Sequence, residues 1–303
     1  MTQPIRLGTR GSPLALAQAR EVAALLRVTH GWDESTVEIV PITTTGDVIQ
    51  DRPLADIGGK ALWTKELDAC LAEGRTDLSV HSMKDVETIR PNIFAIAAML
   101  RREDARDRLI GPARLADLRE GAVVGTSSPR RGAQILARRP DIEIVPIRGN
   151  VQTRLGKLDR GEVDATLLAA AGLNRLGLGD IGTAIDDMIP APSQAAVGVE
   201  IRSDDARLRE IVSAIDHLQT RLCVEAERGF LAAVGGDCRS AVAAHATLRD
   251  ERIHLIAEIL SPRGSEVRGG DAEFGIGDAD GPAALARRLL GEASEELRSM
   301  FAG

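Results

Sequence analysis

The first corner of the chain is Gly8-Thr9-Arg10-Gly11-Ser12-Pro13. It follows a predicted strand, Ile5–Thr9, and begins a predicted helix, Ser12–Arg27, with Ser12 as the N-cap and Pro13 at the first helical position. The unpaired N–H groups and the dipole of a helix start favour an anion. Arginine at the same corner adds a planar group that binds a carboxylate through two hydrogen bonds. This stretch therefore predicts a strand–helix unit with a cationic site at the end of its strand.

Two later corners have the same character. They are Gly125-Thr126-Ser127-Ser128-Pro129-Arg130-Arg131 and Arg148-Gly149-Asn150, the second with Arg154 one helical turn further on. Three such corners in a chain of net charge −7 predict a ligand that carries several carboxylates or phosphates. The corners that begin at residues 8 and 125 also resemble each other. This likeness indicates either two similar α/β lobes that offer helix starts to a shared cleft, or convergent turn chemistry.

Strand-like and helix-like segments alternate through the first two thirds of the chain. Further predicted strands are Val37–Thr43, Leu78–His81, Ile93–Leu100, Ala122–Gly125, Ile142–Ile147 and Ala165–Ala169. Further predicted helices are Leu62–Glu73, Pro129–Arg138 and Asn150–Arg160. The alternation predicts mainly parallel sheets covered by helices.

The last third has a different pattern. A predicted helix is followed by three predicted strands and a closing helix: Leu218–Val234, Ala241–Leu248, Ile253–Leu260, Glu266–Phe274 and Gly281–Phe301. Short turns join the strands, so this part of the chain predicts a separate small domain of α+β type with an antiparallel sheet.

Composition excludes several classes of protein. With 303 residues, 44% hydrophobic and 27% charged, the chain is predicted to be a soluble protein of two or three domains. Aromatic residues make up only 2% and the net charge is −7, which argues against a nucleic-acid partner. No apolar run approaches the ~18 residues of a membrane span, and no signal peptide is evident. Three cysteines without metal-like spacing predict a cytoplasmic protein without a metal site.

Three further local features have both a functional and a structural interpretation. Lys84-Asp85 follows a predicted buried strand, where ligands bind in open α/β sheets, but a surface ion pair is the structural alternative. Cys238 lies on a predicted glycine loop. Its functional interpretation is a nucleophile, and its structural interpretation is a buried thiol. Gly58-Gly59-Lys60 precedes a predicted helix. Its functional interpretation is a mobile lid, and its structural interpretation is an ordinary loop.

The order of these motifs resembles the porphobilinogen deaminase (hydroxymethylbilane synthase) family from end to end. The matching segments are Thr9–Ala15, Gly58–Lys60, Val80–Val86, Val124–Arg131, Leu136–Asp141, Ile147–Leu155, Ala170–Gly177, and Ala226–Arg228 followed by Cys238. The resemblance implies two lobes like those of type 2 periplasmic binding proteins, plus a small C-terminal α+β domain with a three-stranded antiparallel sheet. The implied domains are 1–100 with 194–217, 101–193, and 218–303, and Val197–Ile201 is the implied strand that returns to the first lobe.

The resemblance also implies the reaction. Four porphobilinogen molecules are joined head to tail with loss of ammonia, and the linear tetrapyrrole is released by hydrolysis as hydroxymethylbilane. The implied cofactor is a dipyrromethane primer attached to Cys238 through a thioether. The implied enzyme is a cytoplasmic, monomeric transferase of haem biosynthesis that passes its product to uroporphyrinogen III synthase.

Site residues are carried over position by position. The resemblance makes Asp85 the catalytic carboxylate, and Gly58, Gly59, Lys60 and Trp63 the lid. Its cofactor-binding positions are Cys238, Ser82, Lys84, Asp85, Thr126, Ser127, Ser128, Arg130, Arg131 and Arg154. Its substrate-binding positions are Arg10, Ser12, Arg148, Gly149, Asn150, Arg154 and Arg175.

The chain departs from the family pattern at several positions. Asp237 precedes the cysteine where a small residue is usual, and it is expected to slow cofactor attachment. Glu87 replaces a common proline and is expected to add negative charge near Asp85. Ala241 replaces a proline, Trp63 a frequent phenylalanine, and Ser193-Gln194-Ala195-Ala196 a Gly-Gln-Gly-Ala segment. Two alternatives remain open, a two-lobed anion-binding receptor and a catalytically silent relative.

Overall fold

The computed structural model describes residues 3–45, 63–237 and 239–301. Its strands are β1 (Ile5–Arg10), β2 (Val37–Ile42), β3 (Leu78–Ser82), β4 (Phe94–Met99), β5 (Asp107–Ile110), β6 (Val123–Gly125), β7 (Glu143–Val145), β8 (Ala165–Ala169), β9 (Thr183–Ile185), β10 (Val197–Arg202), β11 (Val242–Arg249), β12 (Arg252–Leu260) and β13 (Val267–Gly275). Its α-helices are α1 (Pro13–His30), α2 (Lys65–Ala72), α3 (Pro129–Arg138), α4 (Val151–Asp159), α5 (Ala170–Arg175), α6 (Ala206–Ser213), α7 (Leu218–Val234), α8 (Asp280–Glu292) and α9 (Glu295–Ser299).

The chain divides into two compact units. The first consists of Met1–Glu103 with Ala195–Arg221, and the second of Asp104–Gln194 with Leu222–Gly303. The three domain boundaries that the resemblance implies stay a prediction. Within the described ranges, none of the helices combines the length and the hydropathy needed to cross a bilayer.

The first unit contains a five-stranded sheet in the order β2-β1-β3-β10-β4. β1 runs parallel to β2 and β3, whereas β10 is antiparallel to β3 and β4. Helix α1 buries Ala19, Val22 and Leu26, spaced three and four residues apart, in one core cluster with Leu7 and Leu78 of the sheet. This spacing explains why the segment after the first corner forms a helix that covers the sheet.

The second unit contains a sheet with the equivalent order, β7-β6-β8-β5-β9. β6 is parallel to β7 and β8, and β5 is antiparallel to β8 and β9. β1 and β6 therefore occupy the same place in their sheets, and each ends at one of the two similar corners. This equivalence agrees with the interpretation of two similar lobes.

Each sheet is mixed rather than mainly parallel as predicted. The reason lies in the connections between the units. β5 follows soon after the chain enters the second unit at Asp104, and β10 follows soon after it returns at Ala195. Each of these strands lies between two neighbours and is antiparallel to both, β5 to β8 and β9, and β10 to β3 and β4. β10 confirms the predicted returning strand.

The C-terminal part forms the predicted three-stranded antiparallel sheet, in the order β11-β12-β13. Phe230 of α7, Leu255 of β12 and Leu285 of α8 belong to its core. The predicted closing helix is wrong in one respect, because two helices, α8 and α9, replace a single one. Ser294 causes the break, since its side chain accepts a hydrogen bond from the Leu297 N–H and begins α9. Taken with the two lobes, this sheet confirms the predicted fold class.

Candidate active site

The first corner lies where β1 ends and α1 begins. The Ser12 side chain caps α1 by accepting a hydrogen bond from the Ala15 N–H at 3.3 Å, and Pro13 takes the first helical position, as predicted. The buried Thr9 hydroxyl donates to the Ala15 carbonyl at 3.2 Å. These contacts fix the backbone from which the Arg10 side chain leaves the end of β1.

The end of β3 lies at the same edge of the sheet, because β1 and β3 are parallel neighbours. β3 continues into a short 3₁₀ turn, Met83–Asp85, in which Lys84 is half-buried. Asp85 Oδ2 lies 4.0 Å from Arg10 Nη1, and the two side chains are 34% and 21% exposed. The structure therefore places the predicted catalytic carboxylate beside one predicted substrate-binding cation, with both still accessible.

A pocket surrounds this pair. It is lined by Arg10, Ala15, Gln18, Trp63, Thr64, Val80, His81, Ser82, Asp85 and Val86. The guanidinium of Arg10 lies over the Trp63 ring, with Cζ 3.9 Å from the ring centroid. Gln18 hydrogen-bonds Ser82 at 2.9 Å. Gln18 and Thr64 were not predicted as site residues. Gln18 could have been found from the sequence, because a polar residue on the apolar face of a predicted helix indicates a polar partner or a site.

A buried ionic network lies behind the pocket. His81 Nε2 is 3.1 Å from Glu200 Oε2, and Arg90 donates to both oxygens of Glu200 at 2.8 and 2.9 Å. Burial by itself raises the pKa of Glu200, but His81 and Arg90 outweigh it and lower that pKa to about 2. Glu200 stays ionised and holds β3 to β10 through its side chain as well as its backbone.

Glu87 belongs to the same network. Its carboxylate lies 2.6 Å from Arg90 Nη1 and accepts a hydrogen bond from the Thr64 hydroxyl at 2.9 Å. The expected negative charge near Asp85 is therefore offset by a guanidinium. Arg90 also bonds Asp68 of α2 at 2.6 Å, so these contacts tie the loop after Asp85 to the start of α2.

Hydroxyl groups of the second corner hold the backbone between β6 and α3. The Ser127 hydroxyl donates to the Ile147 carbonyl at 2.7 Å. Thr126, which is buried, accepts from the Ser128 N–H at 3.1 Å, and Ser128 caps α3 by accepting from the Arg131 N–H. Each predicted cofactor-binding hydroxyl thus has a structural hydrogen bond, and their ligand roles stay predictions.

The two arginines of this corner are buried and share one carboxylate. Arg130 and Arg131 each place Nη2 2.6 Å from an oxygen of Asp107, and the three side chains are 3%, 7% and 0% exposed. Arg130 Nη1 also donates to the Ile189 carbonyl, and Arg131 Nη1 donates to the Leu167 carbonyl. Sequence reasoning missed Asp107, because its partners are more than 20 residues away along the chain.

The third corner contains a glycine that no other residue could replace without strain. Gly149 has φ +109°, and a Cβ there would lie 2.5 Å from Thr153 Cγ2. Asn150 caps α4 by accepting from the Thr153 N–H at 2.9 Å. Arg154 Nε donates to the Gly149 carbonyl at 3.0 Å, and the Arg148 side chain is half-buried.

The remaining predicted residues are distributed as follows. Arg175 is half-buried at the end of α5. Gly58, Gly59, Lys60 and Cys238 lie outside the described residues. Beside Cys238, the Asp237 carboxylate accepts from Arg239 Nη2 at 2.7 Å and from the Arg239 N–H at 2.8 Å. Burial alone raises the pKa of Asp237, but Arg239 lowers it, so its charge has a neighbouring cation.

These features define an α/β protein with two similar lobes, cationic strand ends, an accessible carboxylate beside Arg10 and a separate three-stranded antiparallel sheet. Two family models match it, "Porphobilinogen deaminase, dipyromethane cofactor binding domain" over residues 5–210 and "Porphobilinogen deaminase, C-terminal domain" over residues 221–294. The chain belongs to the porphobilinogen deaminase family.

Curated relatives agree along nearly the whole chain. A porphobilinogen deaminase of Sphingopyxis alaskensis is 52% identical, over 99% of this chain and 97% of the relative. The porphobilinogen deaminase of Nitrobacter hamburgensis is 47% identical, over 98% of this chain and 96% of the relative. That of Paracoccus denitrificans is also 47% identical, over 97% of this chain and 94% of the relative. A solved periplasmic substrate-binding protein of Coxiella burnetii has 18% identity and a TM-score of 0.42, over 70% of this chain and 91% of its own. The strand orders, not this weak likeness, define the fold.

The residues present fit a dipyrromethane, whose pyrroles each carry two carboxylates. Both α3 and α4 begin with capped N-termini in the second unit, and Arg148 and Arg154 stand at the start of α4. Arg130 and Arg131 add positive charge beneath the first of these helix starts. Such a set of N–H groups, hydroxyls and cations suits carboxylate ligands.

Proposed function

We propose that this protein is a transferase that makes hydroxymethylbilane from four porphobilinogen molecules, with a dipyrromethane bound to Cys238. The observation that carries the proposal is the accessible Asp85–Arg10 pair, 4.0 Å apart at the edge of the sheet, in a pocket. A carboxylate beside a guanidinium can serve a substrate that carries both a carboxylate and a developing positive charge. An anion receptor has no need of the acid.

The chemistry at each step joins one porphobilinogen to the growing chain. When bound, the dipyrromethane supplies the free pyrrole α-carbon at which the first bond forms. The C–N bond of the substrate's aminomethyl group breaks, ammonia leaves, a C–C bond forms, and the α-carbon loses one proton. Asp85 would stabilise the positive charge on the pyrrole nitrogen and accept that proton at a carboxylate oxygen.

The binding residues divide the remaining work. Arg10 would bind a substrate carboxylate beside Asp85, and Ser12 fixes its backbone. Arg148, Gly149, Asn150, Arg154 and Arg175 would bind further substrate carboxylates. Ser82, Lys84, Thr126, Ser127, Ser128, Arg130, Arg131 and Arg154 would hold the cofactor, and Gly58, Gly59, Lys60 and Trp63 would cover the site.

The cellular setting is part of the same proposal. The enzyme is expected to act in the cytoplasm as a monomer and to pass hydroxymethylbilane to uroporphyrinogen III synthase. In support of a monomer, the exposed large apolar side chains of the described part of the chain are distributed over several elements, such as Val28 on α1, Leu218 on α7 and Met300 after α9. Light scattering of the purified protein tests this, and a dimer at micromolar concentration would contradict it.

Intact-protein mass spectrometry tests the cofactor. Wild type should carry the additional mass of two linked pyrrole units, and Cys238→Ala should lack it. Cys223→Ala is the matched control, because Cys223 is buried and should leave the adduct unchanged. A wild-type protein that carries no adduct and consumes no porphobilinogen, even after incubation with it, would refute the proposal and leave the receptor or the silent relative.

Asp85→Asn tests the catalytic role. It should keep the adduct but lower turnover by about 10²- to 10⁴-fold, the usual contribution of a positioned proton-transfer group. Asp117→Asn, at an exposed pair with Arg114, should leave turnover unchanged. Near-normal hydroxymethylbilane formation by Asp85→Asn would remove Asp85 from the mechanism.

A further inference from the structure

Trp63 makes a contact that the family pattern did not predict for this chain. Its ring lies 3.9 Å from Arg10 Cζ, while Asp85 Oδ2 lies 4.0 Å from Arg10 Nη1. The guanidinium is thus held by an aromatic face and by a carboxylate. From the sequence, Trp63 was assigned to the lid and noted only as the replacement of a frequent phenylalanine. Its contact with a substrate-binding cation gives it a more specific task.

The geometry points to Trp63 as a positioning residue for Arg10, one that holds the guanidinium ready to bind a carboxylate of a pyrrole substrate. This inference rests on the proposed function. Stacking occupies the face of a guanidinium, whereas the two parallel hydrogen bonds to a carboxylate lie in its plane, so the two contacts are geometrically compatible. An arginine side chain otherwise has many rotamers, and fixing one of them before binding removes part of the entropy cost.

The choice of tryptophan matters because it binds cations most strongly of the aromatic residues. Trp63→Phe should therefore keep part of the effect, and Trp63→Leu should remove it. Since the contact acts on binding rather than on the reacting atoms, the change should appear in KM and leave kcat nearly constant. Losing a cation–π contact is expected to raise KM for porphobilinogen by about 3- to 30-fold in Trp63→Leu.

A double-mutant cycle distinguishes positioning from direct contact with the substrate. In an Arg10→Gln background, Trp63→Leu should change KM by less than about twofold, because the side chain that Trp63 positions is already gone. If Trp63→Leu raises KM equally in both backgrounds, Trp63 acts on the substrate itself and the inference is wrong. Circular dichroism spectra of all four proteins check that each is folded.

A second measurement needs no substrate at all. The chain has two tryptophans, and the other, Trp32, stacks on His30 at 4.4 Å. In a Trp32→Phe protein, emission reports Trp63 alone. Arg10→Gln should then increase acrylamide quenching and shift the emission maximum to the red, whereas Arg20→Gln, on the exposed face of α1, should change neither.

The two experiments separate the inference from the proposed function. Unchanged Trp63 emission in the Arg10→Gln protein would show that the stack does not form in solution, and would overturn the inference even in an active enzyme. A protein that consumes no porphobilinogen would refute the proposed function, while the emission measurement would still decide whether Trp63 holds Arg10.

Discussion

Asp107→Asn is the substitution whose cost the structure defines most sharply. The carboxylate is fully buried and accepts hydrogen bonds from Arg130, Arg131 and Gln194, at 2.6, 2.6 and 2.8 Å. An asparagine would keep the shape but place an NH₂ group against one of the guanidinium groups. The buried guanidinium groups of Arg130 and Arg131 would then lose the carboxylate that they share. An N–H donor of the asparagine would also face an N–H donor of one of these arginines.

The expected loss of stability is large because an unpaired buried charge costs more than a missing hydrogen bond. Breaking a buried ion pair by removing one partner typically costs about 3–5 kcal/mol, against a total stability of about 5–15 kcal/mol. Burial by itself raises the pKa of Asp107, but the two arginines outweigh it and lower that pKa well below 3.8. The stabilisation is therefore fully present above pH 3.8 and decreases as the pH falls below that value.

Urea unfolding at neutral pH, followed by circular dichroism, measures the loss. Asp141→Asn is the matched control in the same lobe, since its exposed pair with Arg139 has a similar distance, 2.7 Å. It should move the unfolding midpoint little. The triple variant Asp107→Leu, Arg130→Met, Arg131→Leu should be more stable than Asp107→Asn, because it contains no unpaired charge.

Two outcomes would refute this reasoning. One is a loss below about 1 kcal/mol for Asp107→Asn, which would mean that Arg130 and Arg131 do not depend on this carboxylate. The other is a stability difference between wild type and Asp107→Asn that stays constant below pH 3.8, since a carboxylate with a lowered pKa must lose its advantage there.

Two further predictions concern positions where the chain departs from its family. Ala195 has φ +71°, so Ala195→Gly should stabilise the protein by about 0.5–1 kcal/mol in urea unfolding, and equal or lower stability would contradict the strain. Ala196→Gly, a buried neighbour without a positive φ, should destabilise it instead. Arg239→Gln removes the cation that offsets Asp237, and it should slow cofactor attachment to the apoprotein several-fold by mass spectrometry. An unchanged rate would separate Asp237 from cofactor loading.

The sequence predicted those parts of the fold whose signals are local. The caps of α1 and α3 were identifiable because Ser12 and Ser128 each precede a proline at the first helical position. The break before α9 also had a local signal, since Ser294 is followed by two acidic residues in the first turn, but the apolar periodicity on both sides concealed it.

Short strands and distant partners could not be predicted in the same way. β9 has three residues, too few for an alternating pattern, and β5 contains a charged residue, Asp107, where a buried strand should be apolar. That residue is explained only by Arg130 and Arg131, which lie more than 20 positions further on. Gln18 and Thr64 line the pocket only because the sheet brings α1 and the start of α2 beside β3.

The contacts of the arginines show why a sequence motif can predict more ligand-binding cations than the folded site presents. The second corner contains two adjacent arginines, yet Asp107 accepts a hydrogen bond from each and leaves both buried. Two guanidinium groups against one carboxylate still leave a net positive charge, and at low dielectric its field acts on an anion above it without direct contact. Arg10 differs, because it remains accessible and its plane is held by Trp63. Under the proposed function, we therefore expect the second corner to contribute to carboxylate binding through charge and helix N–H groups, and the first through the hydrogen-bonding geometry of one positioned side chain.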